Sequence, residues 1–421
     1  MAITAERTPQ TDFAKLTEPN GLGTGPVPIE PYISQAWFEQ ERDQVFARAW
    51  LCMGRVEQMP QPDSFITKEI EVLKAFVLIT RDASDKVRAF HNVCSHRANL
   101  LALEREGKGS RFVCNYHRWT YGNNGACIGV PDQENFFDLD KSTCGLTPIA
   151  CEVWEGWIFV NLQKKPEVSL KEFLGDFGEA FRNIPVPAAA QSFTIVSKLR
   201  ANWKVIADAF AETYHVPAIH PATIGTTFSS KLNPFARPLS ATAYGPHRSF
   251  STFGNPDYQP PENAAVERLA YSKMDTGNVL GGDRSADVAA MLNHPAINPT
   301  KSPGWAVDVA WIFPNFQIDY SPGGFWTHEF WPTSVNTTRW TARVHIPIAK
   351  DIRQRFQQEH HAARFADIML EDVANTERQQ LAMESGAKTQ MHLQDGEFML
   401  RHSLHALRKW IDARTVREAL D

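Results

Sequence analysis

Two short stretches constrain this chain more than anything else in it. They are Cys94-Ser-His96 and, after seventeen intervening residues, Cys114-Asn-Tyr-His117. Each supplies one cysteine and one histidine. A Cys2His2 zinc finger pairs its cysteines first and its histidines second. The alternating order here suits a [2Fe–2S] cluster in which the thiolates hold one iron and the imidazoles the other. Neutral imidazoles in place of two thiolates leave less negative charge on such a cluster, which raises its potential. Both pairs follow β-type text, AFHNVC and RFVC, so Cys94, His96, Cys114 and His117 are expected on the tips of neighbouring hairpin loops. The competing reading is a structural zinc site.

The rest of the chain gives these loops a setting. Its 421 residues are enough for two or three domains with real cores. A net charge of −5 gives no basic field for nucleic acid. The polar, then Gly- and Pro-rich N-terminus lacks the apolar core of a secretory signal, and no apolar run approaches the ~20 residues of a membrane span. A cytoplasmic protein is expected. In a reducing compartment clustered cysteines point to metal. Cys52, Cys127, Cys144 and Cys151 lack histidine neighbours and read as buried small hydrophobes.

Residues 1–45 read as an arm followed by a helix that packs on the last part of the chain, residues 164–421. Residues 46–163 read as an all-β module of short strands and turns. Residues 164–421 read as an antiparallel sheet covered by helices, so the chain as a whole is α+β. Within this last part, 202–216 has the text of an amphipathic helix cut by Pro217. Residues 221–303 read as a long irregular region. VDVAWIFPNFQIDYS, GFWTHEFWPTS and RWTARVHIPI form a meander, and helices run from Asp351 to a stop at Gly386 and from about Glu397 to Leu420.

The second constellation is Glu212-Thr-Tyr-His215-Val-Pro-Ala-Ile-His220. Five residues apart on an unbroken helix, the two histidines would point about 140° away from each other. A helix ended by Pro217 lets His215 project from its last turn while His220 returns from the next segment. Asp208, Glu212 and His215 would then share a helical face. Two histidines and one carboxylate complete the facial triad of an oxygen-activating Fe(II) site, which keeps positions open. Local spacing does not say which carboxylate.

HNVCSHRANLL…FVCNYHRWTYGNNG resembles the Rieske motif of ring-hydroxylating and related oxygenases, and the resemblance runs from about residue 35 to 415. The family usually has Pro after the second Cys and Gly after the second His, where this chain has Asn115 and Arg118. The resemblance implies a Rieske domain over 46–163 and a helix-grip, START-like catalytic domain over 164–421. It places the third iron ligand at Asp372 in EDVANTERQQ, with Glu371 and Asp367 as nearby alternatives. It implies that Glu212 bridges a cluster histidine of a neighbouring subunit to the iron, along His117, Glu212 and His215. The family's acid here is usually Asp, and some relatives acting on amines carry Glu. Asp208 is set beside Glu212 as a second catalytic acid, orienting a ligand or packing the helix.

The chain carries no nucleotide-binding glycine motif, so electrons would come from a ferredoxin or an NAD(P)H-dependent reductase. The cofactors implied are the [2Fe–2S] cluster and a mononuclear Fe(II), and the assembly implied is a homotrimer. The reaction implied is O2-dependent oxidation of a small organic, aromatic substrate. The alternatives are N- or O-dealkylation, quaternary-amine monooxygenation and, from another class, a Rieske electron carrier without oxygenase activity. His360, His361, His402 and His405 read as surface or packing residues, and most aromatics of the meander read as core.

Overall fold

The computed structural model describes residues 13–186, 191–271, 286–321 and 324–421. The first residues of the expected arm therefore lie outside the described residues. The chain divides into two compact units. One comprises Arg42–Phe173 with Arg414–Glu418, and the other Met1–Glu41, Leu174–Ala413 and Ala419–Asp421.

The first of these units is built on strands rich in β-branched and aromatic residues. Seven of them pair in the order Leu51–Arg55, Trp157–Asn161, Pro148–Trp154, Val87–His91, Ala75–Arg81, Ser64–Ile70 and Glu106–Lys108. Val77, Leu78 and Ile79 are buried in succession, so this strand is covered on both faces. A three-stranded sheet, Arg111–Val113, Thr120–Gly122 and Cys127–Gly129, stands beside it. The turn before its last strand needs Gly125. The backbone there has φ +83°, and a Cβ would meet the Phe90 ring at 2.3 Å. Phe65, Phe90, Phe112, Trp119 and Tyr121 form the core between the sheets, and Cys94 and Cys114 belong to the same core.

The second unit is an antiparallel seven-stranded sheet. Its order is Gln191–Leu199, Thr337–Ile346, Gly324–Ser334, Phe316–Ser321, Trp305–Ile312, His247–Phe253 and Ser240–Tyr244. The last two strands form a hairpin inside the segment expected to be irregular. Their text, SATAYGPHRSFSTF, hides a strand alternation behind small hydroxylated residues, and the Ser251 hydroxyl donates to buried Asp308 on the next strand.

Helix Ile352–Glu384 starts on Asp351, whose side chain accepts the Gln354 N–H at 2.8 Å, and is followed by Gly386 at φ +69°. Its buried positions include Gln358, His361, Phe365, Ile368, Asp372, Thr376, Gln380 and Met383. They recur every three or four residues, so one stripe carries both packing groups and Asp372 inward. Among the described residues no helix is long and apolar enough to cross a membrane.

The helix expected over 202–216 is shorter. Asn202 caps it by accepting the Lys204 N–H, it runs Trp203–Ala209, and residues 210–215 turn out of it. Glu212 explains the break, because its side chain accepts the His215 N–H at 3.1 Å and competes with the helical pattern. Pro217 opens the following short helix, Val216–Ile219, rather than closing the preceding one.

Candidate metal centres

The two cysteine loops share one backbone design. The Ala98 N–H donates to the Cys94 carbonyl at 3.0 Å, and the Arg118 N–H donates to the Cys114 carbonyl at 2.9 Å. Both closing residues have left-handed backbones, Ala98 at φ 57° and Arg118 at φ 62°. Cys94 and Cys114 are free thiols with almost no exposure. The His96 and His117 rings lie side by side, centroids 4.5 Å apart, and His96 stacks on Trp119 at 5.0 Å.

Polar groups surround the sulfurs. The Tyr121 hydroxyl lies 3.2 Å from Cys94 Sγ, and Asn99 Nδ2 lies 3.8 Å from Cys114 Sγ. Burial raises the Cys114 thiol, but the backbone N–H groups of Tyr116 and His117 outweigh it and leave the thiol below its ordinary value. Burial, with His117 and Arg97 nearby, holds the His96 imidazole below its ordinary value and so neutral. His96 Nδ1 is buried with no hydrogen-bond partner among the described residues. Two buried thiols and two neighbouring imidazoles, one with an orphaned nitrogen, fit a [2Fe–2S] cluster of mixed ligation.

In the other unit the turn at 210–215 and the short helix after it bring the two histidines together. His220 Nε2 lies 2.9 Å and His215 Nε2 3.5 Å from Asp372 Oδ1. One ligand atom from each of the three residues lies within 4.8 Å of the others. The opposite ring nitrogens are held by carboxylates. His215 Nδ1 makes a short hydrogen bond to Glu212, and His220 Nδ1 bonds Glu371 Oε2 at 2.6 Å. The Thr223 hydroxyl donates to the same Glu371 oxygen at 2.6 Å.

This pattern turns both Nε2 atoms toward Asp372, and it fits a single divalent iron with two histidines and one carboxylate. Burial alone would lower both imidazoles. At His215 the hydrogen bond and charge of Glu212 and the charge of Asp372 raise the group above its ordinary value. At His220, Asp372 and Glu371 do the same.

The remaining expected residues fall elsewhere. Asp208 is half-buried and accepts from the Tyr32 hydroxyl at 2.6 Å, so its hydrogen bond goes to neither histidine. Burial pushes its carboxyl up to about 7, against the lowering effect of the Tyr32 bond. Glu371, an alternative ligand on sequence grounds, is instead the carboxylate on His220. A signal for this existed in its place beside Asp372, but one helix position decides which acid faces the metal.

A cavity of about 110 Å³ adjoins the His215, His220 and Asp372 group. His361, read from the sequence as surface or packing, lines it. So do Gln317, Asp319 and His328, which the sequence did not single out. Of the meander aromatics, Trp326 lines it while Trp305, Trp311 and Phe330 sit buried elsewhere in the core.

With this geometry in place, comparison with known proteins sorts the two units. The family model for the ring-hydroxylating alpha subunit catalytic domain matches residues 187–413, and that for the Rieske [2Fe-2S] domain matches residues 49–150. The chain belongs to the ring-hydroxylating alpha subunit family. The carnitine monooxygenase oxygenase subunit of Acinetobacter pittii is 32% identical over 194 residues, 45% of this chain and 51% of that protein. The glycine betaine monooxygenase oxygenase subunit of Pseudomonas aeruginosa is 31% identical over 195 residues, 46% of this chain and 44% of that protein. The chain thus spans about half the length of the curated relatives it matches.

Naphthalene 1,2-dioxygenase from Rhodococcus sp. shares the fold, with a TM-score of 0.74 at 18% identity over 96% of this chain and 99% of that one. The α+β architecture implied by the sequence is that of this ring-hydroxylating family.

Proposed function

We propose that this chain is the oxygenase component of a multicomponent, O2-dependent oxidoreductase, and that it oxidises a C–H bond of a small organic molecule. The observation that carries the reading is the convergence of His215, His220 and Asp372 beside a largely apolar cavity, in a chain that also carries the Cys94, His96, Cys114 and His117 loops. When bound, the cluster supplies one-electron transfer and the mononuclear iron supplies O2 activation.

The chain's own residues do the rest. Glu212 and Glu371 fix the tautomer and tilt of the two histidines, so that both present Nε2 to the metal. Asp372 adds the one negative charge of the triad. The largely apolar cavity holds the substrate carbon close to the site. In a monooxygenation one oxygen atom enters the C–H bond and the other leaves as water, with two electrons and two protons consumed. Those electrons come from a ferredoxin or an NAD(P)H-dependent reductase.

Oxidation next to nitrogen, giving hydroxylation or dealkylation, is supported by the carnitine- and glycine betaine-oxidising relatives. Aromatic oxidation is the second reading, and the aromatic groups lining the cavity (Phe210, Trp326 and Phe365 among them) support it. A homotrimer that brings a neighbour's cluster to Glu212 belongs to this reading, as does a cytoplasmic setting, in which six free thiols are at home.

The test is O2 uptake by the iron-loaded protein with NADH, a ferredoxin and a reductase, against a panel of alkylamines and arenes. Substrate-dependent uptake with one labelled oxygen atom in the product is expected. A cluster that reduces and reoxidises with no substrate-dependent uptake from any member of the panel would leave only the electron-carrier reading.

A further inference from the structure

The cavity beside the iron site is walled mainly by apolar groups, among them Phe228, Phe250, Val307, Val309, Trp326 and Phe365. One patch breaks that pattern. Gln317 and Asp319 lie two apart on strand Phe316–Ser321, so both side chains point to the same face. His328, on the neighbouring strand, is the register partner of Gln317. Exposure is 1% for Gln317, 2% for Asp319 and 1% for His328.

The internal bonding of the patch is incomplete. Gln317 Nε2 donates to both Asp319 oxygens at 2.9 Å, which leaves Gln317 Oε1 buried with no hydrogen-bond partner among the described residues. Trp340 Nε1 donates to His328 Nδ1 at 3.2 Å, so the His328 proton belongs on Nε2, 3.4 Å from Asp319 Oδ2. His328 supplies no charge, because burial pushes it down to about 3. Among the described residues no lysine or arginine lines the cavity. Glu212 and Asp372 are engaged with histidines, whereas Asp319 has only an amide and the edge of a neutral imidazole.

A buried carboxyl that faces no cation and a buried amide oxygen without a donor are costly on a sheet face that Val or Ile could fill. Both groups are acceptors, and the missing complement is a positively charged donor. An ammonium that carries an N–H supplies charge and hydrogen bond together. A quaternary ammonium supplies charge alone, and a hydrocarbon supplies neither.

Resting on the oxygenase reading, we propose that Asp319 and Gln317 form a specificity subsite for a protonated amine, primary to tertiary, on the substrate. The N–H is directed to the carboxylate and the Gln317 carbonyl, and a carbon attached to that nitrogen is left facing the iron site. Burial holds the Asp319 carboxyl well above its ordinary range because no cation faces it, and an amine that brings positive charge there favours the ionised form.

The experiment is equilibrium dialysis of iron-loaded protein with three ligands of similar shape: N,N-dimethylbenzylamine, N,N,N-trimethylbenzylammonium and isobutylbenzene. The dimethylamine is expected to bind at least about 10-fold more tightly than either of the others. Asp319→Asn should weaken it by about 10- to 100-fold and change isobutylbenzene binding by less than about 3-fold. Gln317→Met, which keeps the shape but removes both the acceptor and the amide donor that orients Asp319, should weaken the dimethylamine in the same direction. Unchanged iron content and circular dichroism show that each variant is folded.

Equal or tighter binding of the quaternary ligand, no binding of the dimethylamine, or an unaffected Asp319→Asn variant overturns the subsite. The oxygenase reading is tested separately by O2 uptake. Uptake driven by isobutylbenzene or the quaternary ligand but not by the dimethylamine removes the subsite and keeps the oxygenase. Loss of uptake with every ligand, despite full iron content, counts against the oxygenase itself.

Discussion

His215 and His220 each bond a carboxylate through the ring nitrogen that faces away from Asp372, and this pairing sets the geometry of the whole site. Removing such a carboxylate typically costs a 10- to 100-fold loss of metal affinity. Glu371→Gln is therefore expected to lose iron from the mononuclear site by about that factor while the visible spectrum of the cluster stays unchanged. Iron per chain after extensive dialysis checks this, and full retention would show that Glu371 does not position His220.

At the other centre, Arg118 occupies a left-handed backbone at φ 62°, where the related motif has Gly. Arg118→Gly should raise stability by up to about 1 kcal/mol, read as a higher midpoint of thermal unfolding in cluster-loaded protein. A lower midpoint would show that the guanidinium makes contacts worth more than the strain. The grouping of Cys94, His96, Cys114 and His117 was legible because their order and spacing carry it. Glu371 and the Gln317–Asp319 pair were not, because the sequence does not say which side of a helix or strand a cavity will occupy.

Among the elements, the most readable was helix Ile352–Glu384. Asp351 and Gly386 mark its ends in the sequence as in the structure, and a stripe at helical spacing marks its buried side. Asp351→Ala removes the N-cap and should cost about 1 kcal/mol of stability, measured by urea unfolding. No change would mean that the first turn is held by packing alone.

The segment 202–220 was less readable. Its apolar text reads as one helix through Val216, yet Glu212 turns its carboxylate onto the His215 N–H and ends the regular pattern earlier. That break is what allows two histidines five apart to meet at Asp372. The hairpin Ser240–Tyr244 and His247–Phe253 was hidden for a different reason. Its side chains are small and hydroxylated because they pair with a neighbouring strand, through contacts such as Ser251 with Asp308, and such text resembles a loop when read alone.

At the scale of the whole molecule, the chain combines a β unit whose two loop tips present two thiols and two imidazoles with an α+β unit whose helix and turn present two imidazoles and a carboxylate. This arrangement calls for two separate iron sites with separate ligand sets. Iron and acid-labile sulfide per chain, measured on anaerobically purified wild type and on Asp372→Ala, test it most directly. About three irons and two sulfides are expected for the wild type, and about two irons and two sulfides with an unchanged reddish-brown spectrum for the variant. Zinc without sulfide in a colourless protein, or equal iron content in the two proteins, would contradict it.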